Sequence, residues 1–371
     1  LTACGISPQV LAEQRMFLDI SLEFLGEYEL PKQNFQDTPV GGLSGLTYDR
    51  QNNLFYAISD DRSQLAPARF YTLNLNLKPP RAGKLSLNRL TVEGVTFLKN
   101  ERGETYGKGS IDAEGIALSP RGSLFISSEG SPRSGILPFI GEYNLKTGKV
   151  SQNLRITQRY LPNTSEQTNA PPRGIQENLG FEALTINGNT LMPDDPFRLF
   201  TATESTLLQD NPPTTPEESA SIRMMHYVIN PIGEPVLVAE HLYLLDRATS
   251  DTIANGLSEL TALQKEGYFL SLERTLKLSG FGAKIYQVIN ANATDTSRIL
   301  SFANQTKSIQ PLRKKLLLDL AELDIDLDNL EGMTLGPRLA DGSQLLLLVS
   351  DDNFRKQQVT QFLLFRLIHN S

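Results

Sequence analysis

Glu114, Glu182 and Glu331 each stand at the head of an apolar alternation, in "IDAEGIALS", "NLGFEALTI" and "NLEGMTLGP". A glutamate is a poor start for a buried strand, because its charge has to be desolvated. Two phrases of the same shape carry serine instead, "GGLSGLTYD" at Ser44 and "NGLSELTAL" at Ser258. Each phrase is followed by a second apolar run ending on an acid: Asp60 and Asp61, Glu129, Glu204, Glu273, and Asp351 and Asp352. In an antiparallel hairpin the start of the first strand and the end of the second share one end. Ser44 is therefore expected beside Asp60, Glu114 beside Glu129, Glu182 beside Glu204, Ser258 or Glu259 beside Glu273, and Glu331 beside Asp351. Carboxylates about 6 Å apart repel by roughly 3 kcal/mol at an effective dielectric near 20. A ring of them requires raised pKa values or bound cations, and all-oxygen donors suit Ca²⁺ above all. The expected metal ligands are Asp60, Glu114, Glu129, Glu182, Glu204, Glu273, Glu331 and Asp351. Arg62, Arg69 and Arg274 follow or adjoin the acidic ends and can neutralise part of the charge.

For these acids to meet, the hairpins must radiate from one axis. The five phrases return at intervals of about 70 residues, the mark of a repeat architecture. Two more β-like runs complete most units, such as "RFYTLNL" and "LTVEGVTFL" in the first and "IRMMHYVI" and "PVLVAEHLYL" in the third. Helical periodicity is scarce, so the fold class is all-β. Four short antiparallel strands repeated five times predict a β-propeller of five blades, with a sixth left open. Pro-, Thr- and Asn-rich loops at 161–178 and 207–221 lengthen the period beyond that of common blades. The fifth unit has only three strands, and the run Phe17 to Leu30 is expected to supply its outer strand and close the ring, removing exposed edges. Residues 17–371 are thus expected to form one propeller domain, with 1–16 as a tether. Within the first strands, large residues share one face (Leu46 and Tyr48, Ile116 and Leu118, Leu184 and Ile186) and small ones the other. That suits sheets packed bulky face against thin face. Glu259, on the small face, departs from the pattern.

Composition removes several classes of function. A net charge of −7 and a pI near 5.2 oppose nucleic acid and anionic membrane as main partners. No apolar run reaches the roughly 20 residues of a membrane helix. Cys4 is the only cysteine, which excludes disulfides and multi-thiolate metal sites. His226, His241 and His369 do not fall at ligand spacing, and no Gly-rich phosphate loop occurs. "DIDLDN" (Asp324 to Asn329) opens like an EF-hand loop but lacks its glycine and its closing glutamate. It reads as a lead-in turn whose Asp328 and Asn329 reach toward the tunnel mouth.

Two resemblances add to this reading. "LTAC" resembles the lipobox of bacterial lipoproteins, which implies lipidation of Cys4 and an extracytoplasmic location on a bacterial membrane. The phrases "GGLSGLTYD", "YAISDDR", "ARFYTL", "DAEGIA", "ISSEG", "GFEALT", "LSLER", "DNLEGMTLGP" and "SDDNF" together resemble the phytase-like family with esterase-like activity, relatives of the β-propeller phytases. This implies a Ca²⁺-dependent hydrolase of a small phosphate ester, here expected as a monomer. Glu114, Glu182 and Glu331 match the family's strand starts and become the expected catalytic residues, while Arg62, Arg69 and Arg274 are expected to steady the phosphate. Two rivals stand beside it: a non-catalytic binding propeller with structural calcium, and a metal-dependent lactonase or carboxylesterase.

Overall fold

The computed structural model describes residues 16–81, 84–163, 170–187, 192, 194–215 and 218–370. Cys4, and all but the last residue of the expected tether, lie outside them. In chain order, β1 (Ile20–Leu30) precedes a small hairpin of β2 (Gln33–Phe35) and β3 (Thr38–Val40). Blade 1 comprises β4 (Leu43–Asp49), β5 (Leu54–Ser59), β6 (Arg69–Arg81) and β7 (Lys84–Phe97). Blade 2 comprises β8 (Ala113–Leu118), β9 (Ser123–Ser128), β10 (Phe139–Asn144) and β11 (Val150–Asn153). Blade 3 comprises β12 (Phe181–Asn187), β13 (Phe197–Thr203), β14 (Ser221–Ile229) and β15 (Val236–Leu244). Blade 4 comprises β16 (Thr252–Ala262), β17 (Tyr268–Lys277), β18 (Gly280–Ile289) and β19 (Arg313–Asp319). Blade 5 comprises β20 (Leu330–Arg338), β21 (Gln344–Ser350) and β22 (Thr360–His369), completed by β1, which runs antiparallel to β22 from Ile20 opposite His369 to Leu30 opposite Thr360. The fold is a five-bladed β-propeller, and the sixth blade left open by the sequence is not formed among the described residues.

The apolar cores lie between blades. Leu46 packs with Leu345, Leu347 and Val349 of blade 5, Ile116 with Ile58 and Phe70 of blade 1, and Leu184 with Phe125 and Ile140 of blade 2. Leu260 packs with Phe200 and Met224 of blade 3, and Met333 with Leu270 and Leu272 of blade 4. Each inner strand thus turns its large side chains to the preceding blade. The thin face meets the following one. A Cβ on Gly115 would lie 2.5 Å from the Glu182 carbonyl oxygen and 2.7 Å from Leu184 Cβ, and one on Gly45 would lie 2.7 Å from the Glu114 carbonyl oxygen. Only glycine permits that approach.

Inner strands of different blades form no ladder, so side chains join them. Ser44 Oγ donates to the Glu114 carbonyl at 2.9 Å, Thr261 Oγ1 donates to the Met333 carbonyl at 2.8 Å, and Thr185 Oγ1 accepts from Ala262 N at 2.9 Å. Glu259 fits here too. Its buried Oε1 accepts from Leu184 N at 3.1 Å and from its own neighbour Leu260 N at 2.9 Å. The carboxylate spans the junction of blades 3 and 4 at a level where other blades use glycine or alanine.

Candidate functional site

Each inner strand carries a β-bulge at one end, and the head residue of each phrase sits in it. Pairing skips from Leu43 to Gly45, from Ala113 to Ile116, from Phe181 to Leu184, from Leu257 to Glu259 and from Leu330 to Gly332. Ser44, Ser258 and Glu331 are left out of the ladder singly, and Glu114 and Glu182 together with the small residues that follow them, Gly115 and Ala183. A bulge re-aims its side chain, which is why a glutamate can begin a strand otherwise made for the core.

The second strands end beside these bulges. Leu43 pairs with Ser59, Ala113 with Ser128, Phe181 with Thr203 and Leu330 with Ser350. The next residues, Asp60, Glu129, Glu204 and Asp351, therefore occupy equivalent ring positions. In blade 4, Leu257 pairs with Glu273, so the equivalent residue is Arg274. The expectation that Glu273 joins the ring is corrected by this one-residue offset, which turns a side chain to the opposite face. The Glu273 carboxylate instead accepts from Tyr243 OH at 2.5 Å and Asp246 N at 3.0 Å, and is paired with Lys314.

Two overlapping groups of acids could hold an ion: Asp60 with Asp112 and Glu114, and Glu114 with Glu129 and Glu182. In each, one oxygen per residue lies within 4.8 Å of the others. Asp112 was not singled out from the sequence, although it stands two residues before Glu114 and so shares its side of an extended chain. It is 2% exposed. Its Oδ1 accepts from Arg62 Nε at 2.7 Å, and its buried Oδ2 has no partner. Glu204, Glu331 and Asp351 continue the acidic surface electrostatically.

Burial dominates the titration of these groups, and the acids reinforce one another. Asp60 is held well above the usual carboxylate range by burial, then by Asp112 and Glu331. Glu114 is raised by burial, Asp60 and Glu182, and Glu182 by burial, Glu204 and Glu129. Glu129 and Asp351 are likewise pushed well up, first by burial and then by Asp112 and by Glu331, respectively. Glu331 is pushed up to about 7 by burial, against the opposing pull of Arg274.

Glycines of the following blade leave room for these acids. Gly180 N donates to Glu129 Oε1 at 2.9 Å, and a Cβ there would lie 2.7 Å from Glu129 Cγ. A Cβ on Gly256 would lie 2.6 Å from Glu204 Cδ.

The three arginines part company. Arg62, in the left-handed region at φ 48°, has a side chain 34% exposed and lies over the acids, with Nη2 2.8 Å from Asn178 Oδ1 and 3.9 Å from Glu129 Oε2. Arg274 Nη2 lies 2.6 Å from Glu204 Oε1 and 3.7 Å from Glu331 Oε1, and Nη1 donates to Asn329 Oδ1 at 2.8 Å. Arg69 is corrected as a substrate contact. It is fully buried, paired with Asp61, and donates to the Pro39 carbonyl at 2.9 Å and to Tyr71 OH at 2.6 Å. Of the lead-in turn, Asn329 reaches the mouth and donates to Glu331 Oε1 at 2.8 Å. Asp328 turns to blade 5, accepting from Val359 N and Gln358 Nε2. His226 is stacked on Phe200 at 4.4 Å, away from the acids, and burial and Arg198 bring it down to about 4.

No curated protein is significantly similar in sequence. Among solved structures the chain is similar to an endo-arabinase from Bacteroides thetaiotaomicron (10% identity, TM-score 0.42, covering 90% of this chain and 95% of that one). It is also similar to the catalytic domain of a GH62 α-L-arabinofuranosidase from Coprinopsis cinerea (10%, 0.42, 94% and 97%). A member of the DUF4221 family from Bacteroides vulgatus matches at 8% identity and TM-score 0.39, over 95% and 99%. Likenesses this distant carry nothing about activity. The match to a family is of another kind, running in sequence through the bulged strands and their acidic ends, residues 38–354: the chain belongs to the phytase-like family, described by the esterase-like activity of phytase.

Proposed function

We propose that the protein hydrolyses phosphate esters at the acid-lined mouth, with a divalent cation, calcium by preference, held by Asp60, Asp112, Glu114, Glu129 and Glu182. The observation that carries this reading is the unpartnered Asp112 Oδ2, a buried carboxylate oxygen inside a cluster of acids. A buried anionic oxygen without a donor is costly, and hard oxygen donors in this number fit calcium. Membership of the phytase-like family supports the choice of ester chemistry.

When bound, the cation supplies Lewis-acid stabilisation of the phosphoryl oxygens and acidifies water. The chain's own residues do the rest. Arg62 reaches solvent above the acids and orients the phosphoryl group through its forked donors. Its guanidinium is itself fixed by Asp112 and Asn178. Glu331, steadied by Asn329 and poised near neutrality, accepts the proton of the attacking water as general base.

The test is a hydrolase panel with and without calcium, covering aryl phosphates, inositol phosphates, aryl carboxylic esters and lactones. Calcium-dependent release of phosphate is expected, with kcat reduced at least about 100-fold in Glu331→Gln. Turnover of lactones or carboxylic esters alone would transfer the site to carboxyl chemistry. Bound calcium with no turnover of any ester would leave a binding propeller.

A further inference from the structure

Five second strands converge on the mouth, and their end positions carry four acids and one arginine: Asp60, Glu129, Glu204, Arg274 and Asp351. The arginine is held within the acidic surface. Its Nη2 lies 2.6 Å from Glu204 Oε1 and 3.7 Å from Glu331 Oε1, across the blades on either side, and its side chain is 17% exposed. The groups with ion-holding spacing lie elsewhere, drawn from blades 1 to 3 and the lead-in to blade 2. Glu204 and Glu331 belong to neither.

We infer that Arg274 is a built-in cation that takes the place of a bound ion between Glu204 and Glu331, so that the mouth is divided into a half that accepts metal and a half that is already neutralised. This rests on the metal reading proposed above. The physical basis is charge balance: a guanidinium at 2.6 Å from a buried carboxylate does the electrostatic work of a cation. A tethered charge also needs no recruitment from solution. It holds Glu331 without ligating it, leaving that carboxylate for proton transfer. The offset that turns Glu273 toward Lys314 is what brings Arg274 here.

The experiment counts calcium bound per chain at saturation, by equilibrium dialysis against calcium chloride and elemental analysis, on the full chain with its fold checked by circular dichroism. Arg274→Gln is expected to bind one more ion than the wild type, and Arg274→Gln/Glu204→Gln is expected to return to the wild-type count. Equal counts in wild type and Arg274→Gln would overturn the inference while leaving the metal reading standing. A wild type that binds no calcium would remove both. Should Arg274→Gln fail to fold, the acids give an independent answer. Glu204→Gln and Glu331→Gln are expected to keep the wild-type count, with calcium affinity within about threefold, whereas Glu114→Gln loses an ion. Loss of an ion in Glu204→Gln or Glu331→Gln would make them ligands and overturn the inference.

Discussion

Arg62 Nε donates to Asp112 Oδ1 at 2.7 Å and leaves Asp112 Oδ2 buried with no donor. One oxygen of the carboxylate is fixed by an ion pair, and the residue as a whole sits with Asp60 and Glu114 at ion-holding spacing. Asp112→Asn would keep the size of the side chain and remove the charge. Calcium affinity is expected to fall at least about tenfold, read by calorimetric titration, with the fold intact by circular dichroism. Unchanged affinity would remove Asp112 from the cation site.

Metal-free protein is expected to lose stability as pH rises. Asp60, Glu114, Glu129, Glu182 and Asp351 are held well above the ordinary carboxylate range, and Glu331 near 7. A raised folded-state pKa means the native state binds more protons than the unfolded chain. Its contribution is then fully present below the unfolded values, 3.8 for the aspartates and 4.5 for the glutamates, and is lost as pH climbs through the folded ones. Denaturant unfolding with a chelator should show the decline from about pH 4.5 through 7 and beyond. Stability that rises over that window would contradict it.

Calcium should reverse that decline. A ligand at about 100 times its dissociation constant stabilises by roughly 2.7 kcal/mol per site. The gain in Tm on adding calcium is expected to be larger at pH 8 than at pH 5, where protons already neutralise the acids. A gain independent of pH would place the ion away from these carboxylates.

Gly256 tests how closely the blades must approach. A Cβ there would meet Glu204 within 2.6 Å of Cδ, so Gly256→Ala is expected to destabilise by roughly 1–3 kcal/mol through overpacking. The control is Gly342→Ala, where no atom lies within 4 Å but φ is +86°; it should cost about 1 kcal/mol through backbone strain alone. Equal urea midpoints for Gly256→Ala and the wild type would mean that the acid has room to move.

Glu259→Ala should be the more damaging change. It leaves Leu184 N and Leu260 N without their shared acceptor and opens a void between blades 3 and 4. A loss of roughly 2–4 kcal/mol is expected, with Glu259→Gln recovering part of it. A neutral Glu259→Ala would show that water replaces the carboxylate at no cost.

By itself the sequence determined the repeat, the all-β class, the alternation of bulky and thin faces, and the run Phe17 to Leu30 as the source of a strand beside the last blade, where Ile20–Leu30 pairs with β22. These follow from side-chain periodicity and spacing, which are local properties of the chain. It also marked Glu114, Glu182 and Glu331, because an acid at the head of an apolar run stands out. Tertiary structure alone decided what those acids face. The bulges that release them exist only once two strands pair, and the offset that replaces Glu273 with Arg274 is a matter of register. Arg69 and Arg274 look alike in the sequence, yet one is sealed beneath Asp61 and the other is set among the carboxylates. Side-chain partnership across blades depends on which atoms the closed ring brings within a few ångströms, and residues about 70 apart in the chain carry no local signal of that.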